Sequence, residues 1–156
     1  MSAQVQPGER CRLGAGAGNV SGVAMRTVHV VYGPPGAGKS THARAVADRT
    51  GAIVYDADDW PDRSAYARAL DALGRDPTAC AVVVACGTTH TSRTALQARV
   101  RSTAVTTIAL PLADCIARIR ARARTTPPID GQIAAARRWW AQHDPHESTT
   151  HSRTWL

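Results

Sequence analysis

The chain is 156 residues long, 44% of them hydrophobic and 20% charged, with a formal charge of +7 at neutral pH. This length suits one domain that buries a core without the help of disulfides or metal. No apolar run approaches the ~20 residues that a membrane-spanning helix requires, so we expect no membrane partner.

The four cysteines, Cys11, Cys80, Cys86 and Cys115, show no paired spacing. A disulfide scaffold of the secreted type has densely and regularly spaced cysteines, and this sequence lacks that pattern. We therefore expect small, buried, reduced thiols and a cytoplasmic protein.

Residues 1–24 are rich in glycine, alanine and polar residues and show no hydrophobic periodicity. Such a composition is typical of a flexible leader. Met25 directly precedes the first predicted strand and is a second candidate start of translation. We expect one domain over residues 25–142 and a polar tail over residues 143–156.

Hydrophobic patterning predicts strands that alternate with helices. The first strand is almost continuously apolar, which is typical of a strand buried on both faces of a sheet. Gly51 is a suitable end for the first helix. Strands are predicted at 27–32, 52–55, 79–85 and 104–110, and helices at 39–49, 62–74, 91–101, 112–124 and 132–142.

A glycine-rich loop separates the first strand from the first helix. Gly33, Gly38, Lys39 and Ser40 match the phosphate-loop spacing Gly-x-x-x-x-Gly-Lys-Ser/Thr. Glycines let the backbone curl so that its N–H groups point at phosphates, and the helix N-terminus that follows favours an anion. Lys39, the only lysine in the chain, can reach the terminal phosphates, and the Ser40 hydroxyl can take one position on Mg²⁺. The predicted nucleotide-binding residues are Gly33, Pro34, Pro35, Gly36, Ala37, Gly38, Lys39, Ser40 and Thr41.

Acidic residues follow the second predicted strand. An extended Asp-x-Asp would send Asp56 and Asp58 the same way, so that one supports Mg²⁺ and the other accepts the proton of an attacking hydroxyl. The alternative is an acidic turn in which Asp59 or Asp62 caps the next helix. The third strand runs into Cys86 without the carboxylate of a Walker B strand, so an acid that holds Mg²⁺ must be Asp56 or Asp58, unless water and the phosphates supply the remaining ligands.

The basic charge is concentrated in the second half of the chain. Residues 93–138 hold nine arginines and two aspartates, a surplus that equals the charge of the whole chain. Arg118 and Arg122 lie four residues apart on one flank of the predicted 112–124 helix, and Arg137 and Arg138 lie on the next helix. Two helices joined by a proline-containing loop predict an arginine lid over about residues 112–140. The alternative is that these arginines form a solvated basic surface. The concentration of positive charge is also compatible with a nucleic-acid partner.

The sequence G-P-P-G-A-G-K-S-T, followed by a strand that ends in D-A-D, resembles small P-loop kinases and AAA-type single-domain ATPases. Within this group it is similar to polynucleotide-kinase-like proteins and to shikimate and gluconate kinases. The resemblance covers about residues 25–142, with specific motifs only at 33–41 and 56–58. It implies a three-layer α/β fold with a mostly parallel central sheet of four to five strands, the first strand being central.

The resemblance also implies roles for individual residues. Asp58 would orient the acceptor hydroxyl as the base and Asp56 would support Mg²⁺ together with Ser40, although the two aspartates could exchange roles. Arg118 and Arg122 would contact the phosphates of ATP.

These observations predict an ATP-dependent, Mg²⁺-assisted phosphotransferase. The acceptor hydroxyl could belong to a small molecule, a nucleoside or nucleotide, or a nucleic acid. One alternative is an NTP hydrolase coupled to a partner, although the only glutamates, Glu9 and Glu147, are not evidently placed to position water. The other is a nucleotide- or nucleic-acid-binding module with little turnover.

Overall fold

The structure, a computed structural model, describes residues 25–122 and 126–143. The predicted leader, the polar tail after His143 and the end of the predicted 112–124 helix fall outside the described residues. The predictions for those segments therefore stay predictions.

Four strands and five helices alternate along the described chain. They are β1 (Thr27–Tyr32), α1 (Lys39–Thr50), β2 (Ile53–Asp56), α2 (Arg63–Arg75), β3 (Cys80–Ala85), α3 (His90–Val100), β4 (Ala104–Thr107), α4 (Leu112–Ala121) and α5 (Ile129–Gln142), with a 3-10 turn at Ala57–Asp59 after β2. The protein is therefore α/β, as predicted, and no fifth strand is present in the described part.

All strand pairs are parallel, and the sheet has the order β2-β3-β1-β4. The expectation that the first strand lies inside the sheet is confirmed, because β1 pairs with β3 on one side and β4 on the other. Parallel strands share their carboxyl edge, so the segments that follow Tyr32, Asp56 and Ala85 meet at one edge of the sheet.

Apolar side chains fill both faces of the sheet. Val28 and Val30 of β1 pack with Leu70 and Leu73 of α2 on one face. Val31 packs on the other face in a cluster with Ala43 and Val46 of α1. β1 can be almost continuously apolar because both of its faces are covered by helices.

Arg26 ties the carboxyl ends of two helices together. Its guanidinium donates hydrogen bonds to the backbone oxygens of Leu73 and Asp76, at the end of α2, and of Val100 and Arg101, at the end of α3. A cation at this place complements the partial negative charge of both helix ends.

Several helix boundaries follow local chemistry. The Gly51 N–H donates to the Ala47 oxygen at 2.8 Å in a left-handed conformation, so this glycine ends α1 as predicted. Asp62, one of the two predicted caps, accepts the Ala65 N–H at 2.7 Å and begins α2.

β4 ends at Thr107, three residues earlier than predicted, because Ile108 and Leu110 pack against the cluster formed by α4 and α5. α5 begins at Ile129, after Pro128, three residues before the predicted start.

The cysteines do not all behave as predicted. Cys86 and Cys115 are free, but Cys86 is exposed, and Cys80 is disulfide-bonded. The expectation of small, buried, reduced thiols is therefore wrong for Cys86, which is not buried, and for Cys80, which is not reduced, and the cytoplasmic location stays a prediction. Among residues 25–122 and 126–143, no helix is long and apolar enough to cross a membrane.

Candidate functional site

The glycine-rich loop joins the carboxyl end of β1 to the first turn of α1. Gly36 (φ 81°) and Gly38 (φ 93°) have left-handed backbone conformations, which residues with a Cβ rarely adopt. Gly38 begins α1 without a side-chain cap, whereas α2 and α3 are capped at their first turns by Asp62 and Thr89. The first amides of α1 therefore lack side-chain acceptors, which is what an anion site at a helix N-terminus requires.

Backbone atoms of neighbouring segments lie close to the glycines of the loop. A Cβ on Gly33 would lie 2.4 Å from the Ile108 oxygen, and one on Gly36 would lie 2.6 Å from the Cys115 oxygen. The glycines are thus required by their contacts as well as by their dihedral angles. The loop is held between the end of β4 and the start of α4.

The side chain of Lys39 folds over its own loop. Its Nζ donates to the Pro34 oxygen at 2.8 Å, which leaves two of the three ammonium protons available for other acceptors. Burial lowers the pKa of Lys39 below its usual value, and the nearby Cys86 and Asp56 oppose this effect. A desolvated cation at the loop favours binding of an anion.

Ser40 and Asp56 are in direct contact. The Ser40 hydroxyl, in the first turn of α1, donates to Asp56 Oδ2 at 2.5 Å. Asp56 is the last residue of β2 and is only 6% exposed. The two residues predicted to support Mg²⁺ are therefore brought together at the carboxyl edge of the sheet.

Asp58 is not in the predicted extended conformation. Asp56 Oδ1 accepts the Asp58 N–H at 3.2 Å, and this bond caps the 3-10 turn over Ala57–Asp59. The expectation that alternation sends both carboxylates the same way is therefore wrong. Asp56 is buried against α1, while Asp58 is exposed; Asp59 is also exposed and lies 3.7 Å from Arg44.

Arg118 and Arg122 lie beside the loop. Arg118 Nη1 lies 3.4 Å from the position that a Cβ on Gly38 would take. Arg122 is close enough to Lys39 for its charge to contribute to the lowered pKa of the ammonium. Both arginines are exposed, as are Arg137 and Arg138 on α5.

The predicted lid is in contact with the loop. Ala37 packs in one cluster with Cys115 and Ile119 of α4 and with Ile133 and Ala136 of α5. Both lid helices therefore contact the loop through apolar side chains.

Trp139 anchors α5 to the end of β3, and the sequence analysis did not assign it a role. It is fully buried, and its Nε1 donates to the Cys86 oxygen at 2.7 Å. The same oxygen accepts the Gly33 N–H at 3.4 Å, so α5 and the first residue of the loop share one acceptor. Trp139 follows Ala136 and Ile133 at helical spacing, and this was the available signal.

No group of three or more histidine, cysteine, aspartate or glutamate side chains in the described segments is arranged to hold a metal ion. Ser40 and Asp56 provide two oxygen ligands. That number is typical of Mg²⁺ in phosphoryl-transfer sites, where water and substrate phosphates supply the other ligands.

No protein-family model matches this chain, and no curated protein matches it.

Proposed function

We propose that this protein is an ATP-dependent, Mg²⁺-assisted phosphotransferase with a three-layer P-loop fold of the small-kinase type. One observation carries the proposal: the Ser40 hydroxyl contacts the buried Asp56 carboxylate at the uncapped N-terminus of α1. A phosphate loop is expected to have a hydroxyl and an acid at this place if it binds a magnesium nucleotide.

The residues of the loop fit a triphosphate. Gly36 and Gly38 give the backbone a left-handed path, α1 lacks a side-chain cap, and Lys39 adds a partly desolvated cation. The oxygens of Ser40 and Asp56 are the hard ligands that Mg²⁺ prefers. When bound, the ion would neutralise charge on the phosphates.

The two aspartates suit different roles. Asp56 is buried and both of its oxygens are engaged, so it suits support of Ser40 and the metal. Asp58 is exposed and suits a base that meets an incoming acceptor. In the reaction, the acceptor oxygen bonds to the γ-phosphorus, the bond from that phosphorus to the departing ADP oxygen breaks, and the hydroxyl proton passes to Asp58.

Arg118 and Arg122 are the arginines that we propose contact phosphate. Arg118 lies next to Gly38, and the charge of Arg122 acts on Lys39. Their positive charge would stabilise the charge that develops on the transferred group.

The test is incubation with γ-labelled ATP and a panel of hydroxyl-bearing acceptors, with free phosphate measured in parallel. We expect labelled acceptor in excess of free phosphate. Lys39→Ala should lose ATP binding, and Asp58→Asn should lose transfer but keep ATP binding. Asp59→Asn is the matched control, because it changes an exposed carboxylate in the same turn and should retain both activities.

Release of free phosphate without labelled acceptor would replace the proposal with an NTP hydrolase. ATP binding without either product would indicate a nucleotide-binding module. If Lys39→Ala bound ATP as tightly as the unaltered protein, the loop would not be the nucleotide site.

A further inference from the structure

Three aromatic residues surround the acidic turn, and we call them the aromatic shelf: Tyr55, Trp60 and Tyr66. Tyr55 directly precedes Asp56, and Trp60 directly follows the 3-10 turn that contains Asp58. The Trp60 ring stacks on Tyr55 with centroids 6.2 Å apart and planes 21° apart, and it lies 6.2 Å from Tyr66 at 51°. The shelf is thus part of the same sheet edge as the proposed catalytic carboxylates.

The two tyrosines hold the shelf in place. The Tyr66 hydroxyl lies 3.4 Å from both the Tyr55 and the Val84 backbone oxygens, at the carboxyl ends of β2 and β3. Burial, with a further contribution from the charge of Asp56, raises the pKa of Tyr66 to about 12, so its hydroxyl stays protonated and keeps donating. The contact with the Tyr55 oxygen places the Tyr66 hydroxyl beside the residue that precedes Asp56.

Trp60 differs from the other two residues. Tyr55 and Tyr66 pack against the core cluster of β1, α2 and β3, whereas Trp60 is not part of that contact set and stacks on the tyrosines from outside. It is only half-buried. A tryptophan that contributes little to the core but has a fixed ring orientation is suited to binding a ligand.

Two of the polar groups beside Trp60 are already engaged. The Asp62 carboxylate caps α2, and the Tyr66 hydroxyl is bonded to the strand ends. A polyol would need several free donors and acceptors around its hydroxyls, while a flat ring needs mainly an aromatic face. The shelf therefore favours a planar heteroaromatic ring over a sugar or cyclitol.

We propose that the acceptor is a nucleoside or nucleotide whose base stacks on Trp60 while a hydroxyl of its sugar reaches the turn of Asp56 and Asp58. This inference rests on the proposed phosphotransferase function, since it identifies the acceptor class for the same site. The reaction balance is unchanged: the nucleoside oxygen takes the phosphoryl group, ADP leaves, and the proton passes to Asp58.

The test measures acceptor binding separately from catalysis. Uridine, cytidine and guanosine are titrated by calorimetry into the full chain saturated with ADP and Mg²⁺, so that the donor site is filled. Glycerol and glucose serve as polyol probes. We expect nucleosides to bind and polyols not to bind.

Trp60→Leu keeps an apolar side chain but removes the aromatic face. We expect it to weaken nucleoside binding about tenfold or more, with unchanged affinity for ATP and an unchanged melting temperature. Trp60→Phe should retain part of the binding, because stacking remains possible. Trp140→Leu is the matched control, since it removes another half-buried tryptophan, whose ring packs against Trp139 and His143.

The inference would be overturned if Trp60→Leu bound nucleosides as tightly as the unaltered protein. It would also be overturned if the protein bound polyols instead of nucleosides, or bound a 5′-hydroxyl oligonucleotide but no free nucleoside. Failure of the proposed function gives a different result, in which nucleosides bind through Trp60 but receive no label from ATP.

Discussion

The ammonium group of Lys39 is bonded to the Pro34 oxygen of its own loop and is surrounded by other charges. Burial lowers its pKa, Cys86 and Asp56 act to raise it, and Arg122 adds to the lowering. A bound triphosphate would stabilise the charged form, so binding of ATP is linked to uptake of a proton.

The affinity for ATP should therefore fall as pH rises. The free ammonium loses its proton below the usual lysine value of 10.5, because its pKa is lowered, and the neutral amine attracts phosphate weakly. Calorimetry between pH 7.5 and the alkaline limit of stability, in buffers with different ionisation enthalpies, should show this decline together with proton uptake. Lys39→Arg keeps its charge over the whole range, so any residual affinity should not decline. A flat profile for the unaltered protein would contradict the shifted pKa.

Single residues of the loop were predictable from spacing, but their neighbours were not. Gly33, Lys39 and Ser40 follow from the motif, while the contact between Gly36 and the Cys115 oxygen joins segments that are distant in sequence. The extended backbone conformation predicted for Asp58 is wrong because a short polar side chain can accept a hydrogen bond from a nearby backbone N–H. Asp56 caps the following turn in this way, and alternation then ends.

At the scale of elements, Arg26 joins α2 to α3 through four backbone oxygens. Arg26→Ala should lower the free energy of unfolding by about 1–2 kcal/mol, since it removes charge-assisted bonds that are partly exposed. Denaturant unfolding measures the loss, and ATP binding at the remote loop should not change.

Arg26→Lys should recover part of that loss, because an ammonium still carries the charge but cannot reach all four acceptors. Arg75→Ala is the control: it removes an exposed arginine from the last turn of α2 and should change stability by no more than about 0.5 kcal/mol. An equal effect of Arg26→Ala and Arg75→Ala would show that the four-acceptor contact adds nothing.

Trp139 holds α5 beside the phosphate loop. Trp139→Phe fills most of the same space but removes the N–H that donates to the Cys86 oxygen. We expect weaker ATP binding, because the indole no longer holds the Cys86 oxygen that accepts the Gly33 amide, together with a loss of stability of about 1 kcal/mol. Trp140→Phe provides the comparison on the same helix. If Trp139→Phe bound ATP as tightly as the unaltered protein, the hydrogen bond from α5 would not contribute to ATP binding by the loop.

The order and type of the elements were predictable, but some ends were not. Patterning predicted each strand and helix because β3 is apolar throughout, β1 is apolar except for Thr27 and His29, and α2, α4 and α5 are amphipathic. The end of β4 and the start of α5 depend on packing around Ile108 and on Pro128, which periodicity does not contain. Trp60 gave no signal, since a single aromatic residue after an acidic turn has no repeating pattern.

At the scale of the whole molecule, two histidines link stability to pH. His29 of β1 and His42 of α1 lie with ring centroids 6.4 Å apart, and His29 Nε2 is 2.8 Å from the Thr106 hydroxyl of β4. Burial lowers the pKa of both, with further lowering of His29 by His42 and of His42 by Arg49.

Because both pKa values are lowered in the folded state, the unfolded chain binds more protons. This contribution to stability is complete above the ordinary value of 6.5 and is lost as pH falls through the lowered values. The melting temperature should therefore decrease from pH 7.5 to pH 5. A His29→Gln, His42→Gln double variant should lose part of this decrease, which isolates the histidines from titrating carboxylates. An identical pH dependence in both proteins would contradict the assignment.

In the folded chain, the arginines of residues 93–138 differ in burial and in their partners. Arg93 is only 6% exposed and donates to the Gly87 oxygen, and Arg99 pairs with Asp71 at 2.6 Å. Arg99 is exposed despite this pairing, as are Arg101, Arg118, Arg120, Arg122, Arg137 and Arg138, while Arg124 lies outside the described residues. Composition predicted the amount of charge but not this division, which depends on the pairing of helices.

The carbonyl of Cys86 accepts from both the Gly33 amide and the Trp139 indole, so two distant segments are thermodynamically linked. An anion that orders the loop should lower the population of locally opened α5, by the same coupling free energy with which a docked α5 favours the anion. Amide hydrogen exchange along α5 would report that reciprocity without any chemical turnover.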